Sequence, residues 1–331
     1  MHYIATKILS SPFEGGLGML EPDPKDVRDL RTDLFGVDSY TPMHERKIIP
    51  TLSFKDQTGR NTCTFETATL LKEKDENEIL SVRSVVIYAF EQGFITSNGF
   101  SSLKNSQKAI QKYGATPEYI IPDYHGAWRN YLAAPALSAL NTEIANLRRS
   151  KTYWRADTIS EIYRKLDEGK LIQVALRWYS GYNQNGGFGF PFILRFKAGY
   201  KVGNHATAII GYDQKYKGNR NVFIFQNSFG GKWGDAGKFY MDVESFADEL
   251  DLFGGFVQED ITRTVGEFIR DYTGKPVKGI NNPATYLIQN GQARWFPNEQ
   301  IFLQKGFHFQ EIETVDENLL SQIPQGEPIY S

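Results

Sequence analysis

The sequence predicts an α+β fold in which helices occupy the first half of the chain and strands the second. Helical periodicity ends at Gly169, and beyond it short apolar runs of strand length alternate with glycine, asparagine and aspartate turns. The 331 residues, 40% of them hydrophobic, suffice for one large or two ordinary domains with full cores. Two segregated layers leave a cleft between them, a common place for a site.

Residues 1–48 carry Pro12, Pro22, Pro24 and Pro42 among several glycines and read as an extended lead-in along a surface. Asp23, Asp26, Asp29 and Asp33 fit no calcium-loop spacing and read as a solvated acidic segment. From Thr62 a helix begins with Phe65, Ala68 and Leu71 on one face, and its charged end at 72–78 reads as solvated. A second helix spans about 102–113 and stops at Gly114. In a third, Thr158 and Glu161 form a capping box, Ile159, Ile162, Tyr163 and Leu166 form the apolar stripe, and Gly169 ends it. Residues 171–176, 206–212, 222–226 and 238–243 are the strand candidates, with a loop at 181–189. Near the end, 286–288 and 294–296 flank Asn290-Gly291, a hairpin signal, and Pro297-Asn298 opens a short helix that Gly306 ends. This ββα unit, about 281–314, is too small to bury much core and is expected to dock on its neighbour. The expected division is a lead-in at 1–48, a main domain at 49–260 and a C-terminal extension at 261–331.

The charge balance narrows the function classes. With 37 basic and 39 acidic side chains, no long-range field is available to hold nucleic acid or an anionic membrane. The local patch of Arg148, Arg149, Lys151 and Arg155 reads as solvated surface. A single cysteine excludes an internal disulfide framework and any zinc site built on two thiolates. Lys7, Ser10, Ser11, Pro12 and Glu14 interrupt any signal-peptide core, and nowhere do eighteen apolar residues run together. The expectation is no transmembrane segment, with the compartment left open between cytoplasm and export by another route.

Cys63 stands where the first helix should start, and the unpaired N–H groups and dipole there favour the thiolate. Gln57, six residues earlier across a glycine turn, can bring its amide beside the sulfur. Its N–H and that of Cys63 would then both donate to an oxyanion. His205 opens one apolar strand and Asn227 ends the next. If those strands are neighbours, the Asn227 amide fixes the imidazole tautomer and points the other ring nitrogen at Cys63. His2, His44, His125 and His308 have no comparable setting, and Phe229 and Trp233 read as packing residues.

On these residues the chain resembles the papain-like (C1 family) cysteine peptidases of bacterial or viral type. Gln57 and Cys63 keep the family's spacing. His205-Ala206 closing on Gly211-Tyr212 matches the histidine strand, and Asn227-Ser228-Phe229-Gly230 closing on Trp233-Gly234 matches the asparagine block. The resemblance covers about 49–260. It implies a helical domain headed by the Cys63 helix, an antiparallel β-barrel-like domain carrying His205 and Asn227, and an active-site cleft between them. It also implies a thiol endopeptidase with an imidazolium–thiolate pair, acting on a protein or peptide substrate without metal or organic cofactor. Asn98-Gly99 is similar to the Asn-Gly-Gly segment whose backbone pairs with extended substrate. Asn98, Gly99 and Asn204 are therefore the expected substrate-binding positions.

Several positions depart from the family pattern. Asn61-Thr62-Cys63-Thr64 stands where Gly-Ser-Cys-Trp is usual, and Phe229 replaces the tryptophan that shields the histidine–asparagine contact. The residues before Thr51 do not resemble the long helical inhibitory prosegment. A catalytically degenerate papain-like binding or structural protein of a surface or particle assembly is the alternative, and acyl transfer would use the same residues. The segment 286–297 weakly resembles modules of bacterial envelope-associated proteins. Envelope or particle association, or regulation of the cleft, is the corresponding expectation for the extension.

Overall fold

The computed structural model describes residues 17–23, 29–30, 40–124, 127–133, 139–182, 193–194, 198–260, 265–279, 282–315 and 317–330. Most of the lead-in, with His2, Asp26 and Asp33, lies outside the described residues, as do His125 and loop positions 183–189. The chain forms two compact units, Met1–Ser138 with Arg148–Asp260, and Ala139–Leu147 with Ile261–Ser331.

In the first unit, β1 (Arg46–Ile48) precedes α1 (Cys63–Glu76), α2 (Val82–Glu91), α3 (Leu103–Lys112) and a short α4 (Trp128–Leu132). Helix α2 has no counterpart in the sequence reading, because its valine-rich face carries little intrinsic helix preference. A side-chain cap from Ser81 to the Ser84 N–H and burial of Val85, Val86 and Ala89 supply what propensity lacks. Helix α5 (Ala139–Asn146) groups with the second unit although it falls inside 49–260. There follow β2 (Ser150–Ala156), α6 (Ile159–Asp167), β3 (Ile172–Tyr179), β4 (Lys201–Lys215), β5 (Arg220–Gln226), β6 (Lys238–Asp242), α7 (Val243–Phe253) and β7 (Gly255–Asp260). Thr158 and Glu161 do form the capping box of α6.

The strands build one sheet in the order β2-β7-β3-β4-β5-β6, with β1 added on β4. Every pairing in it is antiparallel. The fold is α+β, and the helical and sheet cores are distinct. Phe65, Ala68, Val85, Val86, Ala109 and Ile110 fill the helical one. Ile172, Val174, Leu176, Ile209, Phe223, Phe225 and Phe239 fill the other. Strands β2 and β7 and helix α7 have no counterpart in the sequence reading; aromatic and charged residues alternate too irregularly there to stand out.

Two surface assignments are corrected. Lys72 and Glu73, expected on a solvated helix end, are buried because each is matched: Lys72 pairs with Glu76 and Asp260, and Glu73 accepts from Lys55, Ser53 and the Leu80 N–H. In the basic patch, Arg155 and Arg148 are buried against Asp157 and Glu78, and only Lys151 conforms to a solvated face. A polar network also docks α1 on the sheet. Gln173 of β3 donates to the Thr64 carbonyl at 2.7 Å and to Thr67 Oγ1 at 2.8 Å, and accepts from Gln107 of α3 at 2.6 Å. Fully satisfied buried amides of this kind fix one register between elements.

The second unit continues with α8 (Val265–Tyr272), β8 (Pro276–Gly279), β9 (Thr285–Gln289), β10 (Gln292–Trp295), α9 (Glu299–Gln304), β11 (Glu313–Val315) and α10 (Glu317–Ser321). The β9–β10 hairpin turns through Asn290 and Gly291 at φ 53° and 75°, the left-handed pair that a two-residue hairpin turn requires. It belongs to a four-stranded sheet, β10-β9-β8-β11, in which β11 runs parallel to β8. The ββα element is thus part of a larger unit with its own core of Phe268, Val277, Ile288, Ala293 and Val315. Strands of three and four residues are too short for periodicity to announce them. Among the described residues no helix is long and apolar enough to cross a membrane.

Candidate active site

Cys63 is the first residue of α1. Thr62 precedes it in a non-helical conformation and turns its hydroxyl to Glu66 Oε1 at 2.9 Å, so the first-turn N–H groups have no side-chain cap. His205 lies in β4 opposite Leu176, and the β4–β5 register pairs Ala208 with Gln226, so that Asn227, the next residue, comes within hydrogen-bond reach of the histidine. Gly211 permits β1 to cross here, since a Cβ on it would lie 2.1 Å from the Lys47 carbonyl.

His205 Nε2 and Asn227 Oδ1 are 2.7 Å apart. The Ser228 N–H donates to the same Oδ1 at 2.8 Å, which fixes that atom as the amide oxygen and therefore places the imidazole proton on Nε2. Nδ1 is buried and has no hydrogen-bond partner among the described residues. The Phe229 ring stacks on the imidazole at 4.7 Å, and Trp178 of β3 meets it edge-on at 4.8 Å. Ala206, next to the histidine, donates its N–H to Cys63 Sγ at 3.5 Å.

Gln57 sits in a turn whose residues Thr58 and Gly59 adopt φ 45° and 75°. Its Nε2 donates to the Arg60 carbonyl at 2.5 Å, and its Oε1 accepts from Ser228 Oγ at 2.6 Å. Ser228 therefore joins the Asn227 side of the site to the Gln57 side.

The lead-in enters this site. The Gly18 backbone amide reaches the Cys63 thiol and favours its ionised form. Ser101 donates to the Gly18 carbonyl at 3.0 Å and accepts from the Leu20 N–H at 2.9 Å. On the other side Met19 bridges Asn204, whose side chain donates to the Leu20 carbonyl at 3.2 Å. Met19 is buried with Leu103, Ala175, Ala206, Phe253 and Phe256 around Cys63, which has no exposed surface. Of the three expected substrate-binding positions, Asn204 thus meets an extended chain directly. Asn98 accepts from Asn61 at 2.8 Å and Gly99 packs on Asn61, while the backbone pairing falls to Ser101.

Coverage decides protonation. Amides of Ala206, Gly18 and Thr64 all favour the thiolate, yet burial outweighs them and pushes the Cys63 thiol up to about 12. Burial likewise pushes His205 down to about 4 against the opposing Asn227 bond. Both shifts run against the expected imidazolium–thiolate pair in this covered arrangement, and both have burial as their largest cause.

Comparison with known proteins finds one matching family. Residues 130–249 match the family described as papain family cysteine protease. The fold is that of the papain-like cysteine proteases. The matched segment includes His205 and Asn227, while Cys63 and Gln57 lie upstream of it. The chain is similar in structure to xylellain, a cysteine protease from Xylella fastidiosa, with a TM-score of 0.61 and 20% identity over 75% of this chain and 97% of that one. It is also similar to procathepsin L 3 of Tenebrio molitor larval midgut (TM-score 0.55, 14% identity, 77% of this chain and 78% of that one). A third likeness is to bromelain from Ananas comosus, solved with the E64 inhibitor (TM-score 0.52, 19% identity, 66% of this chain and all, 100%, of that one). Among curated proteins none matches the sequence.

Four features of the candidate site escaped sequence reasoning. Ser228 had a signal in its place after Asn227. Trp178 and Gln173 had none, being ordinary strand residues until β3 is set beside β4 and α1. The Leu17–Met19 contact had none either, because its partners lie far along the chain.

Proposed function

We propose that the chain is a thiol endopeptidase in which Cys63 is the nucleophile, His205 the general base and acid, and Asn227 the orienting residue. Gln57 and the Cys63 N–H supply the oxyanion donors. The observation that carries this reading is the 2.7 Å His205–Asn227 bond, which leaves Nδ1 unpartnered beside a residue whose N–H touches Cys63 Sγ. His205 takes the thiol proton and the sulfur attacks the scissile carbonyl. The donors hold the tetrahedral oxyanion, and His205 then protonates the leaving amine. The acyl-enzyme is released by a water that His205 activates. Gly18–Leu20, extended between Ser101 and Asn204, supports an extended peptide as the occupant of the cleft.

A second, non-catalytic reading draws on the complete burial of Cys63. A peptide-directed epoxide separates the two when applied to the chain carrying Gly18→Ala, in which a Cβ 1.8 Å from the Asn61 carbonyl oxygen is expected to push the lead-in off the sulfur. Stoichiometric labelling and peptide-amide hydrolysis, both abolished by Cys63→Ala, are the expected result. Hydrolysis that survives Cys63→Ala unchanged, or no labelling of the uncovered chain, would sink the enzymatic reading.

A further inference from the structure

Arg60 lies midway between Gln57 and Cys63 and is buried, with 6% of its surface exposed. A guanidinium held away from water needs matched acceptors. Nη1 donates to the Tyr124 carbonyl at 3.0 Å, and Nη2 donates to the Asp56 carbonyl at 3.0 Å and to Asp123 Oδ2 at 3.1 Å. The guanidinium carbon lies 4.5 Å over the Tyr131 ring, and Glu66 Oε1 is 3.9 Å from Nη2. The backbone of the same residue closes the turn, its N–H donating to the Gln57 carbonyl at 2.8 Å and its own carbonyl accepting from Gln57 Nε2 at 2.5 Å. Asp56, Glu66 and Asp123 also line a cavity of about 120 Å³, so close packing does not hold the turn on that side. Its hydrogen bonds do.

We infer that Arg60 is a positioning residue for oxyanion stabilisation: its side chain ties the turn at 56–60 to residues 123–124, and its carbonyl sets the plane of the Gln57 amide. This rests on the assignment of Gln57 as an oxyanion donor. An amide nitrogen carries two hydrogens, and fixing one on the Arg60 carbonyl fixes the direction of the other. Lysine cannot replace the arginine, because an ammonium on a flexible stem does not present a planar fork to three separate acceptors.

The test compares Arg60→Lys with and without Gln57→Ala, in the full chain carrying Gly18→Ala so that coverage does not set the rate. Arg60→Lys should lower kcat for a peptide amide by about tenfold or more with little change in KM, within the hundred- to thousandfold that loss of an oxyanion donor costs. In the Gln57→Ala chain the same substitution should change kcat by less than about twofold, since its effect runs through that amide. Asp123→Asn, at a partly exposed partner and a smaller hazard to folding, should show the same dependence on Gln57 at smaller amplitude. Equal losses with and without Gln57, or a kcat that Arg60→Lys leaves within about twofold of its parent, would overturn the inference. If Gln57→Ala by itself leaves kcat unchanged, the oxyanion assignment fails first, and the inference with it.

Discussion

Glu66 sits one turn into the helix that Cys63 begins, fully buried, and burial pushes its carboxyl up to about 7 with Asp123 adding to the effect and Arg60, Lys55 and the Thr62 hydroxyl opposing it. Its folded value lies above the ordinary 4.5, so folding favours the neutral acid. That contribution is fully present below about pH 4.5 and is lost as the pH rises through 7. Glutamine keeps the shape and a donor–acceptor head without the charge. Glu66→Gln should therefore gain stability relative to the native chain between pH 5 and pH 8, by up to about 3 kcal/mol. Urea unfolding at the two pH values checks this, and a stability difference independent of pH contradicts it.

At the scale of elements, the lead-in strand packs over the cysteine and helps to bury it. Gly18 is the residue that lets it lie so close, because a Cβ there would sit 1.8 Å from the Asn61 carbonyl oxygen. That contact is with backbone and has little room to relax. Alanine at this position should push the strand off Cys63, return water to the site and lower the cost of the thiolate. An uncharged haloacetamide at pH 7 should then alkylate Cys63 at least about tenfold faster than in the native chain, tenfold being 1.4 kcal/mol of lost protection. Equal alkylation rates would mean that the strand does not control access. The same strand is anchored further on, where Asp23 accepts the Lys104 N–H at 3.2 Å in the first turn of α3 and Leu30 accepts from Arg155 at 2.7 Å. One substitution therefore loosens its centre and leaves its anchors.

At the scale of the whole molecule, the chain builds two compact units with separate cores. Ile288 is fully buried in the second, on the β9 strand of the hairpin. Ile288→Ala should destabilise that unit by about 2–5 kcal/mol through lost burial and a residual cavity. Hydrogen exchange of Val277 and Val315 should report this loss, while the alkylation rate of Cys63 stays at its native value. A matching loss of protection around β4 and β5 would show that the two cores unfold together.

The sequence by itself determined the fold class, the family resemblance, four of the helices, and the residues on which the proposed chemistry rests. These signals are local: a capping box at Thr158 and Glu161, an Asn-Gly turn, fixed spacings such as that from Gln57 to Cys63. Tertiary structure alone decided what surrounds those residues. Lys72 and Glu73 look solvated in sequence and become buried because Asp260 and Lys55 arrive from distant segments. Nothing in the sequence marks Arg60 until residues 123–124 meet it. The lead-in reads as a surface strap until Ser101 and Asn204 take its backbone between them. The protonation of Cys63 and His205 follows the same rule. Helix position and spacing name the pair, but its charge depends on the water that the folded chain admits or excludes, and desolvation here outweighs every local hydrogen bond.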